Sequence, residues 1–398
     1  MKTEVMTEQV SANGVDVKVS KTTDKKCKHT QLKWLIGSAV FFALLNGLAW
    51  ICTPFCDFYQ KWVYPFWVNT YGRITSLLPF SFGELLIAIA VFGIPLSLIV
   101  MIVLLIIKKG RRGKVAKVFG FIYGWIIVFI LGTETLNCFI LYHTSTFEEL
   151  NGISSEKHST EELEKLAFRL VAQVNELSTQ VERDENGRFV LTADTDAARK
   201  AVEGLEDEFV CFGGYEVHPK PIYCSFFMSQ MDLMGIYFPF SMEANYNTDM
   251  YKAKLPDTIC HELAHTKGFM REEEANYIAF VACDRSDSVE YRYSGYLSAL
   301  TYVRNNVFEY CDDYTQFALD DAISDEVWVD IDENREYWES VEEAEDTVFD
   351  SQTVSEVSDK AMEASLQANG VEDGIESYGR MVDLMLNYYG DHKFVGEE

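Results

Sequence analysis

The strongest constraint on this chain is an uninterrupted apolar stretch from Leu85 to Ile107, 23 residues without a charged side chain. A helix of that length extends about 35 Å, and the hydrocarbon core of a bilayer is about 30 Å thick. Two further apolar stretches run from about Trp34 to Phe55 and from about Val118 to His143. Helices buried in soluble cores seldom stay apolar on every side for so long. The sequence therefore predicts three transmembrane helices within residues 34–143.

Lysine and arginine are distributed unevenly around these stretches. Residues 1–33 end in a basic run, and residues 108–117 carry six basic side chains, whereas residues 56–84 carry two. Since basic loops stay in the cytoplasm, we expect a cytoplasmic tail 1–33, an inner loop 108–117 and an outer loop 56–84, with residues 144–398 outside. The expected location is the cytoplasmic (plasma) membrane, crossed several times. Headgroup-level aromatic positions are expected in the outer loop at Trp62, Tyr64, Trp67 and Tyr71.

The net charge of −28 combines two unlike parts. Residues 1–143 hold 15 basic and 7 acidic groups, which leaves 19 basic and 55 acidic groups, a net charge of −36, for residues 144–398. A polyanion of this size repels phosphate backbones. Nucleic acid is therefore excluded as a partner, and the lipid bilayer is an expected one.

Residues 144–398 predict a mainly helical α+β domain. Ser159 and Glu162 have the spacing of a capping box, followed by apolar residues at helical intervals. From Gly213 to about Asn247, aromatic and β-branched residues are broken by glycine and proline, which predicts the sheet. A disulfide between Cys211 and Cys224 and free buried thiols are both compatible with the sequence.

A His-Glu-x-x-His motif at His261, Glu262 and His265 carries the chemistry. Histidines at i and i+4 lie one turn apart on one helix face, so both imidazoles can reach one metal ion. The intervening glutamate can take a proton from water bound to that ion. Pro256 and Asp257 predict the start of the helix, and Gly268 predicts its end.

A catalytic zinc ion usually takes three protein ligands and leaves one position open. The third ligand is expected on the helix that follows Gly268, where Glu272 is favoured and Glu274 is the alternative. Asn276 lies one turn after Glu272 and is expected to hydrogen-bond a ligating histidine. Glu273 is expected on a solvated face.

These residues resemble those of known proteins. The sequence His-Glu-Leu-Ala-His, Gly268 and then Arg-Glu-x-Glu-Ala-Asn is similar to that of gluzincin-type zinc metallopeptidases, in which the second helix supplies the third ligand. The chain more closely resembles an uncharacterised bacterial membrane-protein family, domain of unknown function 3810. This resemblance rests on the motif and on residues 78–84, 235–247, 293–296 and 374–379.

The resemblance implies a three-span membrane region followed by a zincin-like, extracytoplasmic metallopeptidase domain over residues 144–398. It implies a membrane-anchored zinc-dependent peptidase that hydrolyses a peptide or protein substrate outside the cytoplasmic membrane, with Zn²⁺ as cofactor and Glu262 as proton acceptor. Substrate is expected to add to a strand between Tyr237 and Tyr246. Donors to the oxyanion are expected among Tyr293, Arg292 and His218. The alternative is a catalytically inactive zinc-binding membrane sensor or scaffold.

Overall fold

The computed structural model describes residues 18–153, 158–344, 351–370 and 380–389. They are mainly helical, with one small sheet. The chain divides into two compact units: Met1–Leu44 with Met101–Gly132, and Leu45–Val100 with Thr133–Glu398. The last turns before His143, expected to be membrane-embedded, therefore belong to the same unit as the acidic domain. The segment 374–379 lies outside the described residues.

Three helices are long and apolar enough to cross a membrane: Thr30–Ala49, Phe82–Ile107 and Lys109–Tyr142. The most apolar part of the second has no residue buried within the chain, as expected for a surface that faces lipid. The elements of this region are α1 (Lys18–Ala49), α2 (Thr53–Phe58), α3 (Tyr64–Trp67), α4 (Arg73–Ser76), α5 (Phe82–Ala88), α6 (Ile94–Ile107), α7 (Arg112–Glu134) and α8 (Ile140–Tyr142). Short π-helical turns connect α2 to α3, α3 to α4, α5 to α6, and α7 to α8.

The first apolar helix ends at Ala49, before the predicted end at Phe55. Pro54 lies in the first turn of α2, where its missing N–H costs no helical hydrogen bond. The chain therefore starts a new helix at Thr53.

The predicted outer loop 56–84 is largely helical, and part of it is buried. Gln60 and Tyr64 are at most 1% exposed. The Gln60 side-chain amide donates to the Gly268 carbonyl at 3.0 Å, and the Tyr64 hydroxyl donates to the His265 carbonyl at 3.4 Å. The expectation that Tyr64 lies at headgroup level is therefore wrong: it packs against the helix that carries the His-Glu-x-x-His motif.

The rest of the chain contains a helical core and the predicted sheet. Its helices are α9 (Phe147–Asn151), α10 (Thr160–Ser178), α11 (Thr195–Glu203), α12 (Ser225–Gln230), α13 (Leu255–Thr266), α14 (Glu272–Asp284), α15 (Val289–Tyr310), α16 (Asp313–Ala322), α17 (Asp325–Glu342), α18 (Ser351–Ala368) and α19 (Met381–Tyr389). The strands are β1 (Lys220–Ile222), β2 (Gly235–Phe238) and β3 (Glu243–Asn247). The capping box at Ser159 and Glu162 is confirmed at the start of α10.

The sheet falls within the predicted residues and has the order β1-β3-β2. The β1 strand pairs with β3 in parallel, and β2 pairs with β3 antiparallel. Since β3 is central, β2 is an edge strand with one row of backbone groups outside the sheet. Cys211 and Cys224 are free thiols in this structure, so the disulfide between them is not formed.

Candidate metal centre

The α13 helix places the two histidines of the motif side by side. It begins with Pro256 in its first turn and lies deep in the core, with Ile259, Leu263 and Ala264 at most 2% exposed. Packing on these apolar positions fixes how the helix is rotated, so the opposite face presents the imidazoles. The Nε2 atoms of His261 and His265 are 3.1 Å apart.

The turn after α13 fixes the tautomer of His265. Gly268 has a φ of +94°, which residues with a Cβ rarely adopt, and the chain reverses there. The reversal brings the Phe269 carbonyl to 2.7 Å from Nδ1 of His265. A carbonyl oxygen can only accept a hydrogen bond, so Nδ1 carries a proton and donates it. In the neutral ring Nε2 then has a free lone pair, which points into the site.

Glu272, the first residue of α14, places its carboxylate beside both histidines. Its Oε2 is 3.1 Å from Nε2 of His261, and its Oε1 is 3.8 Å from Nε2 of His265. One ligand atom from each of the three residues lies within 4.8 Å of the others. Ligands about 2.1 Å from a tetrahedral zinc ion are about 3.4 Å from one another. The three side chains therefore fit a zinc ion with one position left open.

The other glutamates of α14 point elsewhere. Glu274 accepts from the Phe147 backbone N–H at 2.8 Å and pairs with Arg271 at 3.1 Å. Residues two apart on a helix point about 200° apart, so Glu274 lies away from the histidines and the geometry favours Glu272. The expectation that Glu273 lies on a solvated face is wrong, since it is 6% exposed and pairs with Arg380.

Glu272→Gln and Glu274→Gln separate these roles. Glu272→Gln should weaken zinc binding strongly because it removes a negative ligand, whereas Glu274→Gln should keep stoichiometric zinc. Glu274→Gln should instead lower the free energy of unfolding by about 1–3 kcal/mol, because its charged hydrogen bonds are partly lost. Zinc titration and thermal unfolding of both variants measure the difference. The reverse ranking in the titration would make Glu274 the ligand.

Glu262 lies beside the three candidate ligands with a free carboxylate oxygen. The residue is 5% exposed, and its Oε2 has no hydrogen-bond partner among the described residues. A Cβ placed on Gly235 would lie 2.4 Å from its Oε1, so only glycine lets β2 approach this carboxylate. Burial raises the pKa of Glu262 to about 8, against the lowering effect of His261. A carboxyl with a pKa near neutrality can both accept and return a proton.

The two histidines differ in their affinity for protons. Burial lowers the pKa of His265 to about 4, so its Nε2 is unprotonated at neutral pH. Burial also acts to lower the pKa of His261, but the adjacent Glu272 carboxylate outweighs it and raises that pKa to about 9. A metal ion and a proton compete for this nitrogen, so metal binding at neutral pH should release a proton.

The site opens into a cavity of about 980 Å³. Its lining includes all three motif residues and five further polar or charged residues: Glu272, Asn276, Lys254, Asp257 and Tyr302. Asn276 lines the cavity too, and its side chain lies within hydrogen-bond reach of the Tyr302 hydroxyl. No contact between Asn276 and a histidine is described, so its support of a ligand stays a prediction.

The three expected oxyanion donors do not line this cavity. The Tyr293 hydroxyl donates to Asp330, which also pairs with Arg183. Arg292 has a buried Nε without a partner among the described residues, and His218 is exposed. Tyr302 lines the cavity instead. It follows Tyr293 by nine residues on α15, which is about 180° around the helix, so the two tyrosines lie on opposite faces.

Several residues of the site were not predicted from the sequence. Asp257 precedes His261 by one turn, so helical spacing alone could have placed it there. Burial raises the pKa of Asp257 to about 6. Tyr302 and Tyr64 have no local signal, since they reach the site from distant parts of the chain. The hydroxyl oxygens of Tyr64 and Tyr237 are 3.0 Å apart.

Comparison with known proteins gives a family but no activity. A family model described as "Protein of unknown function (DUF3810)" matches residues 59–386. This range includes the second and third apolar helices and every residue of the candidate metal centre. No curated protein and no solved structure matches the chain.

Proposed function

The chain belongs to the DUF3810 family of proteins of unknown function, and from the geometry of its own site we propose that it is a membrane-anchored, zinc-dependent peptidase. One observation carries the proposal: donor atoms of His261, His265 and Glu272 converge within 4.8 Å beside Oε2 of Glu262, which has no hydrogen-bond partner in the described part of the chain. Two imidazoles, one carboxylate and an adjacent acid match the ligands and base of gluzincin-type enzymes.

The residues have distinct parts in hydrolysis. A bound zinc ion would supply a Lewis acid that polarises a carbonyl and lowers the pKa of bound water to about 7. Glu262 accepts the proton of the attacking water at Oε2 and returns it to the leaving amine. Tyr302 is positioned on the cavity wall, and we assign its hydroxyl as a donor to the oxygen that becomes negative.

The sheet favours a polypeptide as substrate. Edge strand β2 reaches Glu262 at Gly235, and an extended peptide can pair with the free edge of such a strand. Its scissile bond would then lie beside the proton acceptor. This refines the expected range Tyr237–Tyr246, which contains residues of β2 and β3: β3 is central, so of these two strands β2 is the one at an edge.

The alternative, an inactive zinc sensor or scaffold, would use the same three ligands. Structural zinc sites are closed and more often use cysteine. The open position favours turnover, and so does Oε2 of Glu262, which has no partner within the described ranges.

We propose that the chain crosses the cytoplasmic membrane three times, with the tail 1–33 inside and the metal centre outside. The support is the excess of basic residues in 108–117 over 56–84. An extracytoplasmic reporter enzyme fused after residue 150 should be active, and a cytoplasmic reporter fused there should be silent. The opposite pattern would place the metal centre in the cytoplasm.

Metal removal tests the proposed activity. The full chain, purified in detergent, should hydrolyse members of a quenched fluorescent peptide library. A zinc chelator should abolish hydrolysis, and added zinc should restore it, because protein side chains do not themselves act as Lewis acids. Glu262→Gln treated in the same way should stay inactive after zinc is returned. Hydrolysis that survives complete removal of metal would contradict the proposal.

A further inference from the structure

The metal centre is attached to the end of an apolar, span-length helix. Cys138 and Tyr142, one turn apart at the end of Lys109–Tyr142, line the cavity that contains His261 and His265. One turn of helix is about 5.4 Å long. The cavity wall therefore includes the last turn of the third candidate membrane span, and the contact lies within the compact unit that also holds the metal centre.

Hydrogen bonds fix this arrangement. The Asn137 side-chain amide donates to the Pro239 carbonyl at 2.7 Å, and the Tyr237 hydroxyl donates to the Asn137 carbonyl at 3.2 Å. Pro239 directly follows edge strand β2. The strand that we propose to receive substrate is therefore joined directly to the end of the span.

The wall of the cavity is mainly apolar. The hydrophobic residues come from the segment before β2, from β2 itself, from the turn before α14 and from one face of α18; they are Met231, Leu233, Met234, Ile236, Met270, Val354, Val357, Ala361, Met362 and Leu366. The Ser358 hydroxyl donates to the Met231 carbonyl at 3.2 Å, which holds α18 as one wall. A cavity of this size and polarity binds apolar groups, and its few polar contacts fix their orientation.

From these observations we propose that the substrate is the apolar juxtamembrane stretch of a membrane-anchored protein. The inference rests on the proposed peptidase activity and names its substrate class. A polypeptide that leaves the bilayer presents its first residues within reach of a cavity built on the end of a span. An uncharged stretch buries apolar side chains against the wall and brings no charge into it. The net charge of −36 over residues 144–398 further disfavours acidic substrates.

Crosslinking of bound peptides to an inactive variant tests substrate binding separately from substrate hydrolysis. Glu262→Gln of the full chain is reconstituted in lipid nanodiscs with peptides that carry one photo-crosslinking residue. Each peptide is made in an apolar form and in a form with alternating lysine and glutamate, and each form is made with and without its own membrane-spanning helix. The anchored apolar peptide should crosslink at least about tenfold more than the anchored charged peptide, because most of the wall is apolar and burying charges against it costs free energy. Anchoring should also increase the capture of the apolar peptide.

A matched pair of substitutions shows whether capture uses the cavity. Val357 on the wall is 61% exposed, and Val329 on α17, which does not line the cavity, is 38% exposed. Val357→Asp in the Glu262→Gln chain should reduce crosslinking about tenfold, and Val329→Asp should leave it unchanged. Equal thermal midpoints of the two variants would show that the fold is kept.

Three results would overturn the inference: equal capture of the charged and apolar peptides, equal capture with and without the anchor, or no effect of Val357→Asp. Hydrolysis by the wild-type chain separates the two proposals. If it cleaves a free charged peptide in a Glu262-dependent manner, the peptidase proposal stands and this substrate class is wrong. If the anchored apolar peptide is captured but never cleaved, the binding inference stands and the peptidase proposal is wrong.

Discussion

Glu262→Gln is expected to reduce peptide hydrolysis by about 10²- to 10⁴-fold, the range associated with removal of a general base, while zinc remains bound at one ion per chain. The reason is geometric. Oε2 of Glu262 is buried beside the ligands and has no partner among the residues that the structure describes, but it is not one of the three donor atoms that converge. Glutamine keeps the size of the side chain and cannot accept the proton. Elemental analysis and kcat on one preparation measure both effects.

Glu272→Gln is the matched control for this variant, since the same substitution at a ligand should release zinc. If Glu262→Gln kept full hydrolysis, Glu262 would not be the proton acceptor. If neither the wild type nor the variant turned over any peptide while both held zinc, the inactive sensor or scaffold would replace the peptidase.

His261→Ala and His265→Ala are each expected to lose zinc at stoichiometric protein concentration, and with it all hydrolysis. Removing a partner outside the ligand shell typically weakens metal affinity about 10- to 100-fold, and removal of a ligand itself should cost more. Glu274 is not free to take the place of a lost histidine, because its carboxylate is held by Arg271 and by the Phe147 backbone. Zinc titration with a competing chelator measures the change.

His158→Ala is the control for these variants. His158 hydrogen-bonds Asn387 through Nε2 and does not line the cavity, so its loss should leave zinc stoichiometry unchanged. Full zinc in both His261→Ala and His265→Ala would contradict the site assignment.

Local spacing predicted the parts of this protein that depend on one helix or one turn. The i, i+4 pair His261 and His265, the reversal at Gly268 and the opposite directions of Glu272 and Glu274 all follow from helix geometry. The capping box and the position of the sheet follow from equally local patterns.

Long-range contacts were not predictable in this way. Gln60 and Gly268 are 208 residues apart in the chain and 3.0 Å apart in space. Aromatic residues after a membrane span can lie among lipid headgroups or pack against a neighbouring domain, and the sequence does not distinguish the two cases. The position expected for Tyr64 was therefore wrong. Tyr293 was among the expected oxyanion donors and Tyr302 was not, because the sequence alone does not show which face of α15 lines the cavity.

X-ray absorption at the zinc edge on the purified full chain is the sharpest test of the proposed metal centre, because it reports the atoms bound to the metal. We expect one zinc ion with two nitrogen ligands at about 2.0–2.1 Å, oxygen ligands at about 2.0–2.2 Å and no sulfur. The buried Cys260 and Cys283 have sulfur atoms 3.7 Å apart and offer the competing thiolate site. Sulfur ligands at about 2.3 Å, or a chain that binds no zinc, would contradict the assignment of His261, His265 and Glu272.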